Sequence, residues 1–143
     1  METVRRPAEG REVELVRAAR EAAGRARCAY SHFPVGAAIM LDDGQIVSGF
    51  NCESPAYTCG ICAERMAIYT AVNHYDLHPH DAILFAVWGQ TTDPISPCGQ
   101  CRQVMSDILG PETPVILADC NDNVLRTTVR ELLPLGFKDE DLV

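Results

Sequence analysis

The residues best suited to chemistry lie in two short runs, Cys62-Ala63-Glu64-Arg65 and Pro97-Cys98-Gly99-Gln100-Cys101. Cys62, Cys98 and Cys101 are three thiols at a spacing that suits zinc. A structural zinc site closes all four positions with protein ligands, whereas a catalytic one keeps a position open for water. Three thiols therefore describe an open site. Zinc lowers the pKa of bound water from about 15.7 toward roughly 7, which yields hydroxide at neutral pH. Glu64 is placed to carry the released proton rather than to bind the metal. A carboxylate in that role typically contributes on the order of 10²–10⁴-fold in rate. Three thiolates give a zinc site a charge of about −1. Arg65 and Arg102, each beside a motif residue, are the cations that could temper it.

A rival reading uses the same residues. Cys59-Gly60-Ile61-Cys62 is also a C-x-x-C, so the two pairs could make a closed four-cysteine site. The stretch between the pairs exceeds the ~15–20 residues typical of short zinc ribbons. It also reads as a helix followed by a strand rather than a knuckle loop. A purely structural zinc would leave Glu64 without a role, so Cys59 is read as lying outside the metal's ligands.

Positioning these groups falls to alternating helices and strands. Val13, Val16, Ala19, Ala23 and Ala26 recur at helical steps and predict a helix over 11–28. Pro34 ends that pattern, because a residue before proline is pushed out of helical geometry. Val35–Leu41 and Ile46–Phe50 read as a hairpin around Asp42-Asp43-Gly44-Gln45. Residues 51–60 read as loop, and a second helix starts near Cys62. Ala82–Trp88 is a continuous apolar run, as expected of a strand buried on both faces. A third helix runs from Cys98 to about Leu109, stopped by Gly110-Pro111. Pro114–Ala118 and Val124–Arg126 supply two more strands, and Thr128–Leu133 a last short helix. The expected fold is α/β, a three-layer α/β/α arrangement with a mixed five-stranded sheet. Both cysteine runs then open helices, where free backbone N–H groups and the dipole favour thiolate over thiol.

Bulk properties narrow the function. With 143 residues the chain is read as one domain over 1–143, with 1–10 as a frayed terminus. Its apolar runs are far shorter than the ~20 residues of a membrane span, and the polar start METVRRPAEG lacks a signal-peptide core. A cytoplasmic location is expected. Net charge is −8, with Lys138 the single lysine, and arginines nowhere cluster beyond Arg5-Arg6. Affinity for nucleic acid comes largely from neutralised phosphates, so a small neutral substrate suits this chain better, and neither nucleic acid nor membrane is an expected partner. Seven cysteines, an odd number, favour metal binding or catalysis over a disulfide framework. Cys28, Cys52 and Cys120 read as small buried hydrophobes.

Five segments in order resemble the small, homotetrameric, zinc-dependent cytidine deaminases. Tyr30-Ser31-His32-Phe33-Pro34-Val35-Gly36-Ala37-Ala38 is similar to that family's Y-S-x-F-x-V-G-A-A. Asn51-Cys52-Glu53 resembles its N-x-E, Cys62 to Arg65 its C-A-E-R, and Pro97 to Gln103 its P-C-G-x-C-R-Q. Leu132-Leu133-Pro134 with Phe137, Asp141 and Leu142 resembles its tail.

The resemblance implies a cytidine deaminase-like fold and hydrolytic deamination of free cytidine and 2′-deoxycytidine, in pyrimidine salvage. One zinc per chain would be held by Cys62, Cys98 and Cys101. Zinc-bound hydroxide would attack C4, with Glu64 shuttling protons to the ring and to departing ammonia. Asn51 and Glu53 would hydrogen-bond the ribose hydroxyls, the Ala63 backbone would contact the base and Phe33 would pack on the nucleoside. Tyr57 and Phe137 would reach a neighbouring subunit's site in a homotetramer. The loop Ser54-Pro55-Ala56-Tyr57-Thr58 departs from the family's N-A-S-Y-G. The related blasticidin S deaminases share the C-A-E and P-C-x-x-C-R-Q runs but lack N-x-E, so a modified or antibiotic nucleoside is the runner-up. A nucleic-acid editor would need basic and aromatic surface to grip a strand, which the acidic balance does not offer.

Overall fold

The apolar runs become strands covered on both faces in the computed structural model, which describes residues 4–142. They are β1 (Arg6–Pro7), β2 (Val35–Leu41), β3 (Ile46–Phe50), β4 (Ala82–Gly89), β5 (Pro114–Ala118) and β6 (Asn123–Thr128). All six join one sheet in the order β1-β6-β5-β4-β2-β3. Only β4 and β5 pair in parallel; the other neighbours are antiparallel, so the sheet is mixed. The helices are α1 (Arg11–Ala23), α2 (Ala63–Tyr75), α3 (Gly99–Ile108) and the short α4 (Val129–Leu132).

Strand periodicity sorts the core into two halves. Ala38, Met40, Ala86 and Trp88 face α1 through Leu15, Val16 and Ala19. Their alternating neighbours Ala37, Ile39, Phe85 and Val87 face the other layer, packing with Ala67 and Ile68 of α2 and Met105 of α3. The result is the expected three layers. Two glycines set the layer spacing. A Cβ on Gly36 would lie 1.7 Å from Ala19 O, and one on Gly49 would lie 2.4 Å from Ala67 N and 2.6 Å from Ala63 O. Backbone therefore packs directly on backbone on both faces.

Three expectations change. The sheet has six strands rather than five, because Arg6–Pro7 pairs with β6. Much of the segment expected to fray is thus tied down: Arg6–Pro7 is in the sheet and Arg5 bridges to Asp93 at 3.1 Å and to buried Asp119 at 3.3 Å. Residues 1–3 lie outside the described residues. The first helix stops at Ala23, not 28. Gly24 caps it, and Arg27 instead exchanges backbone hydrogen bonds with Asn51 (2.9 Å) and Glu53 (2.8 Å). Among the described residues no helix is long and apolar enough to cross a membrane.

Candidate active site

Sheet register brings the chemistry-bearing loops to one edge. Val35 opens β2 opposite Gly89 at the end of β4, and Gly36 pairs with Phe50 at the end of β3. The segment before β2, the loop after β3 and the loop after β4 therefore leave the same side of the sheet. The crossover from β4 to parallel β5 requires a connecting helix, which is α3. Its start stands at the carboxyl end of a parallel strand, where open α/β sheets place their ligands.

Both cysteine runs open helices, as expected. Cys62 is the N-cap of α2 and Cys98 that of α3, each with extended backbone, while Cys101 lies in the first turn of α3. The three sulfurs all lie within 4.8 Å of one another, and Cys62 Sγ and Cys98 Sγ are 3.8 Å apart. With Zn–S bonds of ~2.3 Å, a tetrahedron has S···S edges of about 3.8 Å, so the donor set fits zinc. Among the described residues this is the one such metal-holding group, and it is three thiols, not four. Cys59 is exposed on a 3-10 turn over Tyr57–Cys59 and takes no part. Cys28, Cys52 and Cys120 are half-buried rather than fully so.

The charges around the thiols are unevenly disposed. The Cys101 thiol, and then Arg65, hold Cys62 down to about 5 against the opposing effect of burial. Cys101, hydrogen-bonded to Cys62 and buried, is pushed well above the ordinary thiol range. Glu64 is 4% exposed and lies 3.8 Å from Cys101 Sγ. Burial pushes its carboxyl up. Arg65 Nη2 stands 3.5 Å from Cys62 Sγ, in position to offset thiolate charge. Arg102 does not do this. It donates to Pro97 O (2.8 Å), Leu132 O (2.9 Å) and Ser96 Oγ (2.5 Å), strapping the loop before α3 to the end of α4.

Asn51, Glu53 and Tyr57 share a cleft of about 440 Å³ with Cys62, Arg65 and Gln100. Beside it a second cleft of about 380 Å³ is lined by Tyr30, Ser31, Glu53, Ser54 and Tyr57. Asn51 Nδ2 donates to Phe33 O at 2.9 Å and its Oδ1 accepts from Val35 N–H at 2.9 Å, so the Phe33 backbone is tied to Asn51 while the residue stays 43% exposed. Ala63 is buried in the first turn of α2. Tyr57 is 89% exposed. Phe137 is not brought to this site within the chain. It is 55% exposed beside Leu133 and Pro134 in a separate cleft, its carbonyl held by Gln103 Nε2 at 2.9 Å. Sequence reasoning assigned no role to Ser31, Gln100 or Gly49. A glycine inside a strand signals close backbone approach, so Gly49 was findable, and Ser31 stands at a named position of the Y-S-x-F segment; Gln100 carries no comparable signal.

Residues 10–117 match the family described as the cytidine and deoxycytidylate deaminase zinc-binding region. A cytidine deaminase of Sporosarcina psychrophila is 40% identical over 129 residues, covering 90% of this chain and 93% of that protein. A blasticidin-S deaminase of Bacillus cereus is 32% identical over 112 residues, covering 72% of this chain and 76% of that one. The crystal structure of cytidine deaminase from Burkholderia pseudomallei superposes with a TM-score of 0.83 at 38% identity, covering 87% of this chain and 98% of that chain. The chain belongs to the zinc-binding cytidine and deoxycytidylate deaminase family. It is an enzyme of the hydrolytic deaminase class, with zinc as the metal suited to its three thiols.

Proposed function

We propose that this enzyme deaminates free cytidine and 2′-deoxycytidine to the uridine forms, releasing ammonia. The observation that carries the reading is Glu64, buried beside three thiols whose spacing matches one zinc. Zinc held by Cys62, Cys98 and Cys101 would supply the Lewis acidity that makes water a nucleophile at neutral pH. Water adds at C4 of the pyrimidine and the amino group leaves as ammonia. Glu64 takes a proton from the attacking water, passes it to the ring nitrogen, and delivers the second to the departing amine. Burial raises its pKa, the direction a carboxyl needs to hold a proton between accepting and releasing it. Arg65 offsets thiolate charge. The Ala63 backbone meets the base, Asn51 and Glu53 meet the sugar hydroxyls, and Phe33 packs on the nucleoside.

Tyr57 and Phe137 are too exposed for the core of one chain. We read them as reaching neighbouring sites in a homotetramer, which sedimentation velocity tests directly. All seven cysteines are free thiols, which suits the reducing cytoplasm.

Zinc-loaded protein should show the ultraviolet change of deamination with cytidine and deoxycytidine, and little with cytidine monophosphate or cytosine. No turnover of either nucleoside would sink the proposal. Turnover of blasticidin S alone would establish the second reading, which the Bacillus cereus relative supports. The Asn51–Glu53 pair favours the plain nucleoside.

A further inference from the structure

Glu53, proposed above to meet the sugar, is already engaged with the segment 30–35, and Ser31 is the hub of that engagement. The Ser31 backbone N–H donates to Glu53 Oε1 at 3.0 Å, and the Tyr30 N–H reaches the same oxygen at 3.3 Å. The Ser31 hydroxyl donates to Glu53 Oε2 and accepts from the Phe33 N–H at 3.1 Å. A hydroxyl has one proton and an ionised carboxylate only accepts. The chain of bonds therefore has a fixed direction, from Phe33 N–H to Ser31 Oγ and from Ser31 O–H to Glu53. Between them His32 sits at φ 57°, a left-handed conformation uncommon outside glycine. Such a residue keeps its place only when its surroundings hold it there. Asn51 closes the other end through Phe33 O and Val35 N–H.

We propose that Ser31 is a positioning residue: it fixes the Glu53 carboxylate at the nucleoside cleft. A carboxylate offers about four lone-pair sites. Three are taken by Tyr30 N–H, Ser31 N–H and the Ser31 hydroxyl. One remains, so Glu53 accepts from a single sugar hydroxyl in a direction the other three bonds dictate. The Ser31 hydroxyl, and then its N–H, also hold the Glu53 carboxyl below the usual carboxylate range. A preset acceptor spares the binding step the ordering of a free glutamate side chain.

The inference rests on the reading of Glu53 as a sugar ligand, and the experiment separates the two. Zinc-loaded wild type, Ser31→Ala, Ser31→Thr, Glu53→Ala and the Ser31→Ala/Glu53→Ala double variant are assayed on cytidine and on 2′,3′-dideoxycytidine, which lacks the 2′- and 3′-hydroxyls. Ser31→Ala should lose about 5- to 10-fold in kcat/KM for cytidine, mostly through KM, less than the full worth of a charge-assisted hydrogen bond because the Tyr30 and Ser31 N–H groups still hold the carboxylate. Its loss for the dideoxynucleoside should stay under about 2-fold, since no hydroxyl then depends on Glu53. Ser31→Thr should stay near wild type, because Ser31 is exposed and the methyl has room. In the double variant Ser31→Ala should add nothing to Glu53→Ala. Equal losses on both substrates, or a Ser31→Thr loss as large as that of Ser31→Ala, would overturn the inference. If Glu53→Ala leaves discrimination between the substrates unchanged, the sugar-ligand reading itself fails. If Glu53→Ala passes and Ser31→Ala behaves as wild type, only the role of Ser31 falls.

Discussion

Gly49→Ala should damage the active site from behind. Gly49 lies in β3, away from the metal cluster, yet an added Cβ would stand 2.4 Å from Ala67 N and 2.6 Å from Ala63 O. Ordinary contact begins near 3.4 Å, so α2 and β3 must separate by about 1 Å, and both offending atoms are backbone that cannot rotate away. Overpacking of a tight core costs typically 1–3 kcal/mol. For a chain of this size that lowers Tm by roughly 3–10 °C. The second effect is on chemistry. The first turn of α2 carries Cys62, Ala63 and Glu64, and a misplacement of about 1 Å can cost ~10²-fold in rate. Gly36→Ala is the control, because its Cβ would meet Ala19 O at 1.7 Å. It should destabilise at least as much, but through α1, which bears no site residue, so activity per folded molecule should stay within about 3-fold of wild type. The assay is calorimetry together with kcat/KM corrected for the folded, zinc-loaded fraction. Wild-type stability and rate in Gly49→Ala, or an equal rate loss in Gly36→Ala, would refute the reasoning.

Glu64→Gln should retain zinc and lose at least ~10²-fold in kcat; normal turnover in that variant would remove the carboxylate from the proton path. Cys59→Ser should leave metal content unchanged, whereas Cys62→Ser or Cys98→Ser should lose most of it by elemental analysis. A matching loss in Cys59→Ser would restore the four-cysteine site. Metal uptake should release protons, because Cys101 holds its proton in the metal-free protein while Cys62, near 5, is already largely thiolate at neutral pH. Zinc affinity should therefore fall as pH drops. Arg65→Gln, by removing a cation that lowers the Cys62 pKa, should move that loss to higher pH, and an unmoved profile in a chelator titration would count against the charge-offsetting role.

Much of the layout was legible because most elements carry a strong period. Val35–Leu41 and Pro114–Ala118 have the predicted bounds, since both are apolar runs bounded by turn or loop residues. The failures share a cause: a partner distant in sequence. Arg6–Pro7 has too few residues to show alternation, and what makes it a strand is the free edge of β6 with Arg5 anchored on Asp93 and Asp119. Ala26 continues the helical period, but pairing of Arg27 with Asn51 and Glu53 draws the chain away after Gly24. Arg102 shows a different limit, since adjacency in sequence does not say which way a side chain turns. Its place beside a ligand cysteine suggested charge compensation, and its actual partners are three oxygens from Ser96, Pro97 and Leu132.

The metal cluster was legible for a different reason. Its geometry follows from local features repeated twice, a cysteine at the N-cap of a helix, and from one topological fact, that both helices begin at the same sheet edge. β2 runs antiparallel to both β3 and β4, so β3 and β4 point the same way and α2 and α3 must start side by side. Adding Cys101 in the first turn of α3 brings the third sulfur within reach without any loop having to fold over the site. The residues proposed to meet or orient the sugar have no such guarantee. Asn51, Glu53 and Ser31 depend on an irregular segment stapled to itself through side chains. Changes near the sugar should therefore shift KM and specificity long before they disturb zinc or the proton path.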